Sequence, residues 1–311
     1  MRRFILRRFV FALVSIVLAT LAVFFISRAA GDPLLLYANS GYGLTVEAEK
    51  ALRARLMLDR PVVVQYSLWL GRALKGDMGE TILDRKPVSR VVTQRLPATI
   101  HLGFVAMFLS FGVGIPLGVL SAVKRGSGWD YVGRFFALLG QAVPQFWLGL
   151  VLILVFAVQL GWLPAGLKGD SVLDVKYLVL PTITLAWGGF AFYMRITRTA
   201  MLEVLDSEYV RLARAKGVSN RMVIWKHAFK NALIQPLTGM TLAIVGLLNG
   251  AILVETIFAW PGMGNMAITA VNNNDFPLLQ GIVFFFTILI VASTFMADLL
   301  YAYIDPRIRY D

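Results

Sequence analysis

Six stretches of this chain, near residues 9–28, 99–122, 135–160, 178–200, 237–258 and 280–303, are each long and apolar enough to cross about 30 Å of hydrocarbon. No single water-soluble core holds that much apolar surface. Of the 311 residues, 58% are apolar and 15% charged, against about 25% charged in an average soluble domain. Inside lipid every backbone N–H and C=O must be paired within its own segment, so the stretches are expected to be helices. Glycines and prolines within them, such as Gly112, Gly114, Pro116 and Pro144, are tolerated where neighbouring helices re-satisfy the backbone. The expected fold class is therefore an all-α membrane protein with about six transmembrane helices.

The first stretch follows the basic start Met1-Arg-Arg-Phe-Ile-Leu-Arg-Arg8. A basic start before an apolar run also fits a signal peptide, but the run from Phe9 to Ser27 exceeds the 7–15 residues of a signal core. The residues after it, through Asp32, lack a clean small-x-small site because Arg28 intervenes. A retained first span is expected.

The net charge of +12 would suggest nucleic acid on a soluble protein. Here the cations gather beside the spans and set orientation instead. Arg2, Arg3, Arg7 and Arg8 precede the first span, Lys124, Arg125 and Arg134 follow the second, and eight Lys or Arg lie within 195–236. Arg307 and Arg309 lie in the tail. The opposite short loops hold only Lys168 and Lys176. Both termini are expected in the cytoplasm. The division along the chain is then 1–28 for the N-terminal end and first span and 29–98 for a long extracytoplasmic cap segment. The other spans fill 99–303, with a cytoplasmic loop at 201–236, and the tail is 304–311. The cap is expected to hold helices near 45–57 and 61–74.

The 201–236 loop is the most informative stretch. Asp206 or Ser207 can cap a short helix with Glu208 in its first turn, and Gly217 supplies a left-handed stop after Lys216. Ser219 can cap a second helix, running to about Ile234 and closed by Pro236. Val210, Ala213 and Gly217 share one face, with Arg211, Arg214 and Lys216 left wet. A small apolar face flanked by cations suits a groove on a soluble partner. It equally suits an amphipathic helix lying on anionic lipid.

Glu208-Tyr-Val-Arg-x-Ala-Arg-Ala-Lys-Gly217, followed by Lys226-His-Ala-Phe-Lys-Asn-Ala-Leu-Ile-Gln-Pro236, resembles the EAA loop of ABC importer permeases. The resemblance is nearest to their peptide/nickel family, in its dipeptide, oligopeptide and glutathione branch. It extends over Gly76-Asp-Met-Gly79, Arg95-Leu-Pro-Ala-Thr99, Pro144-Gln-Phe-Trp147 and Val254-Glu-Thr-Ile-Phe258. Pro261-Gly-Met-Gly264 and Asp305-Pro-Arg-Ile-Arg309 complete it. The literal Glu-Ala-Ala triplet is absent, with Arg211, Leu212 and Ala213 in its place.

The resemblance implies a permease subunit in the cytoplasmic membrane of a prokaryote, moving peptides or similar small solutes. Implied partners are a second homologous permease, two cytoplasmic ABC ATPase subunits, an extracytoplasmic substrate-binding protein and membrane lipid. No nucleic acid is implied. Glu208, Tyr209, Val210, Arg211, Ala213, Arg214, Ala215, Lys216 and Gly217 would form the coupling helix. The chain would bind no cofactor; ATP and Mg would sit on the partner ATPases. A self-contained secondary transporter or channel is the alternative, and it would show paired half-repeats and interrupted helices at mid-membrane.

Ionisable groups near the spans are functional candidates by default, here Glu255 and Asp298. Glu255 could equally brace the following turn at 259–264. Pro144 and Gln145, with Gly188 and Gly189, could open a pathway or gate, though small residues also let helices pack closely. Trp147, Trp162, Trp187 and Trp260 read as interface anchors or packing. His101 and His227 read as interface and surface side chains. No phosphate-binding Gly-x-x-x-x-Gly-Lys-Ser/Thr loop and no zinc His-Glu-x-x-His occurs, and there is no cysteine. The chain is not expected to be an enzyme. A membrane-impermeant label applied to intact cells should fail to reach 207–217; labelling there would put the loop on the wrong side.

Overall fold

The computed structural model describes residues 2–29, 50, 53, 58–167, 169 and 174–304, and of residues 2–5, 27, 29, 238, 241–249 and 297–304 the backbone alone. The helix expected at 45–57 lies almost wholly outside the described residues, as does the Asp305-Pro-Arg-Ile-Arg309 tail. Among the described residues ten helices carry the fold: α1 Arg2–Ala29, α2 Val62–Ala73, α3 Val88–Val123, α4 Gly128–Ala142, α5 Gln145–Leu152, α6 Val175–Leu205, α7 Glu208–Ala215, α8 Ile234–Ile257, α9 Met263–Asn272 and α10 Phe276–Ile304. A π-helical segment, Ile153–Gln159, prolongs α5. Short pieces, Asn220–Met222, a π-helical Val223–Phe229 and Lys230–Ala232, lead into α8. Among the described residues the only extended pairing is a single bridge between Glu80 and Pro87.

By length and composition, four described helices can cross a membrane, or five if the bent pair α4–α5 is one span. The stretch expected near 237–258 falls in α8, Ile234–Ile257. Two expectations need correction. The stretch near 135–160 is not one straight helix but two, bent by 105° at Val143–Pro144. Pro144 has no N–H to give, and its ring drives Val143 out of the helical region, to φ −86° and ψ 117°. Pro236 does not close the second loop helix; it sits in the first turn of α8. There the missing N–H is one that a helix start leaves unpaired anyway.

The chain divides into two compact units, residues 1–97 with 262–295 and residues 98–261 with 296–311. In the first, Phe24, Tyr66, Trp69 and Phe284 form an aromatic cluster with Met78, Val88 and Ile282. Phe24 meets Tyr66 edge-on at 5.6 Å, and Trp69 meets Phe284 edge-on at 6.0 Å. Tyr66 also donates to the Val17 carbonyl at 3.1 Å. The turn between α2 and α3 closes where Val88 N–H donates to Gly79 O at 2.9 Å. Asp275 fastens that turn. Its Oδ1 accepts from Leu278 N–H at 3.1 Å, capping α10, and its Oδ2 accepts from Ile82 N–H at 2.9 Å.

In the second unit α3 and α6 approach closely. A Cβ at Gly114 would lie 2.9 Å from Phe190 O, and one at Gly118 would lie 2.7 Å from Met194 O. This small-xxx-small spacing lets backbones touch where lipid gives no hydrophobic drive to associate. Ala98, Leu102, Leu180, Leu185, Val254, Phe258 and Trp260 fill the core beside it.

Burial raises the Asp275 carboxyl above its ordinary value, against the opposing pull of the Leu278, Ile82 and Leu83 N–H groups. A raised folded value favours the protonated acid, so this group's contribution is full below the ordinary value and lost as pH rises through the raised one. Thermal unfolding in detergent should therefore show a loss of stability as pH climbs from about 4, the ordinary carboxylate range. Asp275→Asn should flatten that slope. Asp275→Ala should cost about 1–3 kcal/mol, through the N–H groups left without acceptors.

Candidate functional site

The loop after α6 is built as a short lever. Ser207 is extended, at φ −73° and ψ 151°, and its carbonyl accepts the Arg211 N–H at 3.1 Å. Its hydroxyl donates backward to Val204 O at 2.6 Å rather than capping α7. At the other end Gly217 is left-handed, with φ +78°. Gly217 N–H donates to Arg214 O at 3.0 Å and Val218 N–H to Ala213 O at 3.2 Å. Together these are the two bonds of a Schellman stop, and a Cβ at Gly217 would be strained.

The faces of α7 differ from the sequence expectation. Val210 and Ala213 are buried in a cluster with Val223, which Val204 and Val218 flank. That apolar face is turned inward, toward the chain's own 220–232 segment, and is not offered to a partner. Glu208, Tyr209, Arg211, Leu212, Arg214, Ala215, Lys216 and Gly217 are exposed. Leu212 is 56% exposed and Tyr209 43%, one helical turn apart. Asn231 donates to Tyr209 Oη at 3.0 Å and so fixes that ring beside the lever. Leu212 was not singled out from the sequence. Apolar spacing alone does not say which of two apolar edges a helix buries.

A polar knot lies just before the lever. Asp130, in the first turn of α4, is 1% exposed. Its Oδ1 accepts from Ser121 Oγ at 2.6 Å and Arg198 Nε at 2.8 Å. Its Oδ2 accepts from Gly126 N–H at 3.0 Å and Arg198 Nη2 at 3.2 Å. This bidentate pair joins the end of α3, the start of α4 and α6. None of the three side chains forms a local sequence motif. Ser121 and Arg198 are 77 residues apart and meet only in the fold.

Glu255, expected as a gate or a brace, is fully buried and accepts the Thr99 hydroxyl at 2.6 Å. Beside it Trp260 N–H donates to Glu255 O at 2.8 Å, and the Trp260 indole donates to Ala98 O at 3.0 Å. These bonds tie the end of α8 to α3. Pro144 and Gln145 lie elsewhere in the unit, at the α4–α5 bend. Gln145 Nε2 donates to Thr184 O at 3.1 Å and Leu185 O at 3.2 Å. Pro144, Gln145, Gly188 and Gly189 all line a cavity of about 460 Å³. Among the described residues no three acidic or histidine side chains gather as metal ligands.

Residues 114–310 match the family described as binding-protein-dependent transport system inner membrane component. Residues 1–103 match that family's N-terminal membrane component. A putative peptide transport system permease protein of Brucella abortus is 40% identical over 302 residues, covering 96% of each chain. The oligopeptide transport system permease protein AppB of Bacillus subtilis is 37% identical over 320 residues, with both chains fully covered. The dipeptide transport system permease protein DppB of Escherichia coli is 36% identical over 338 residues, covering 100% of this chain and 99% of that one. In fold, the chain is similar to a chain of the MetNI methionine ABC transporter in an inward-facing conformation. That likeness has a TM-score of 0.57 at 18% identity and covers 69% of this chain and 96% of the other.

Asp130→Ala would leave the Arg198 guanidinium without its main acceptor. Because Arg198 keeps 20% of its side chain exposed, the expected loss is about 3 kcal/mol, the lower end for a broken buried pair. Thermal unfolding of the purified chain in detergent measures it.

Proposed function

The chain belongs to the family of binding-protein-dependent transport system inner membrane components, and from that membership we propose that it carries peptides or similar small solutes across a prokaryotic cytoplasmic membrane. It is a non-catalytic permease subunit of an ABC importer; ATP hydrolysis belongs to other subunits. On this reading the pathway forms with a second homologous permease. Two ATPases work from the cytoplasm, and a binding protein delivers solute from outside. ATP and Mg stay on the ATPases. Both termini in the cytoplasm fit the placement of the cations beside the spans.

The observation that carries the reading is the lever itself. A short helix with a glycine stop stands between two long membrane helices and shows its outer edge to solvent. Its inner face is fastened to its own chain through Val210, Ala213 and Val223. A fastened lever transmits force; a loose amphipathic helix lying on lipid would need that apolar face for the membrane. The outer edge, with Tyr209 and Leu212 among Glu208, Arg211, Arg214, Ala215, Lys216 and Gly217, is the part available to an ATPase groove. Apolar side chains ringed by charge are the usual anchors of such contacts. The Asp130–Arg198 knot lies at the root of the lever and would pass its motion to α3 and α4. Glu255 serves as a brace in this scheme and carries no ion.

Leu212→Asp and Tyr209→Ala should each weaken co-purification of the ATPases by tenfold or more, the loss of one interface anchor. Uptake should fall in parallel. The permease itself should stay folded, because both side chains are exposed. Val210→Asp should instead unfold the loop. Undiminished ATPase capture by both outer-edge variants would defeat the docking scheme.

A further inference from the structure

The cavity at the α4–α5 bend lies beside a candidate membrane span, and its largely apolar wall includes irregular backbone and two amide side chains. Val143, Pro144 and Gln145 all line it. Non-helical backbone at membrane depth survives only where protein buries it or where it borders a water-filled space. Gln141 also lines the wall and is exposed, a costly position against lipid tails. The bend is therefore aimed away from hydrocarbon.

Gly188 borders this space. It sits inside α6, where glycine is less favourable than alanine. A Cβ there would meet nothing within 4 Å. Its neighbour differs: a Cβ at Gly189 would lie 2.6 Å from Ser110 Oγ, so packing explains that glycine. Gly71, Gly103 and Gly112 are equally open inside their helices, so it is the cavity beside Gly188, and not the missing side chain alone, that marks the place.

The lining chemistry limits the occupant. No Asp, Glu, Lys, Arg or His borders the cavity. Gln145 is held by its two Nε2 bonds to the Thr184 and Leu185 carbonyls, which leaves its Oε1 as a fixed acceptor. The Ser110 hydroxyl is spent on the Ala106 and Ala186 carbonyls. Trp187, Phe192 and Tyr193 supply flat aromatic walls, two of which carry a polar N–H or O–H. The volume of about 460 Å³ falls within the roughly 300–1,000 Å³ of small-molecule sites. A neutral wall with one fixed amide, that of Gln145, suits a solute's amide backbone. It offers no counter-charge to an ammonium or a carboxylate.

We propose that the Gln145–Gly188 cavity is a contact station on the transport path that holds the neutral amide backbone of a short peptide and leaves its charged ends unread. The inference rests on the importer reading. Co-purification of the ATPases with the unaltered permease tests that reading separately.

The test uses the assembled importer in detergent. The chain has no cysteine, so Gly188→Cys adds its sole thiol. A hydrophilic maleimide should label that variant at least tenfold faster than Leu13→Cys, on the exposed face of α1. Trialanine should slow labelling at 188 by tenfold or more. N-acetyl-trialanine amide, which has no charged ends, should do the same, and free alanine should not. Gly188→Leu should abolish trialanine uptake in proteoliposomes while the subunits still co-purify. Labelling no faster than at Leu13 would overturn the proposal, as would protection by neither peptide. Protection by trialanine but not by its capped form would show that the charged ends are read, and would overturn it too. Loss of the second permease from Gly188→Leu would make the face a subunit contact and defeat it equally.

Discussion

Hydrocarbon gives a peptide group nothing to bond to, and this constraint shapes the whole molecule. Long helices satisfy it everywhere except where the backbone breaks. The breaks are few, and each is managed. At Val143–Pro144 a proline removes the N–H that would have been lost, and α5 restarts at once. At Gly217 a Schellman stop pairs the last carbonyls of α7. At Pro236 the ring falls where a helix start leaves N–H groups unpaired in any case. The two π-helical segments, Ile153–Gln159 and Val223–Phe229, keep their backbone bonded while changing the pitch.

Three buried carboxylates fasten what the helices alone would leave loose. Asp130 collects a hydroxyl, a backbone N–H and a guanidinium from three segments. Asp275 caps α10 and holds the α2–α3 turn. Glu255 takes the Thr99 hydroxyl where α8 meets α3. A buried charge is costly unless its lone pairs are met, and here each carboxylate has donors from elements far apart in sequence. These groups hold parts together and carry out no chemistry. That is what a subunit driven from outside requires, since its work is to move stiff segments together.

The lever shows how a pattern can be right while its use is inverted. The apolar stripe of Val210 and Ala213 is present, but it fastens the helix to the 220–232 segment. The edge left in solvent is the polar one, with Tyr209 and Leu212 set among charges. Burial of a stripe is decided by what lies beside it, and the neighbour here, Val223, comes after a glycine turn whose direction local spacing does not encode.

The sequence by itself determined the helical class, the approximate extent of its apolar stretches, the helix from Ser207 to Lys216 and its glycine stop. Each of these is a local matter of hydrophobic length and of a φ that only glycine takes easily, although the side-chain cap expected at Asp206 or Ser207 does not form. It also carried the family resemblance, which runs nearly the length of the chain. Tertiary structure alone decided the 105° bend, the inward turn of Val210 and Ala213, and the meeting of Ser121, Asp130 and Arg198. It alone showed that Gly189 is packed while Gly188 faces open space. Those outcomes depend on which surfaces meet across tens of residues, and the energy of such meetings is not stored in any local stretch of the chain.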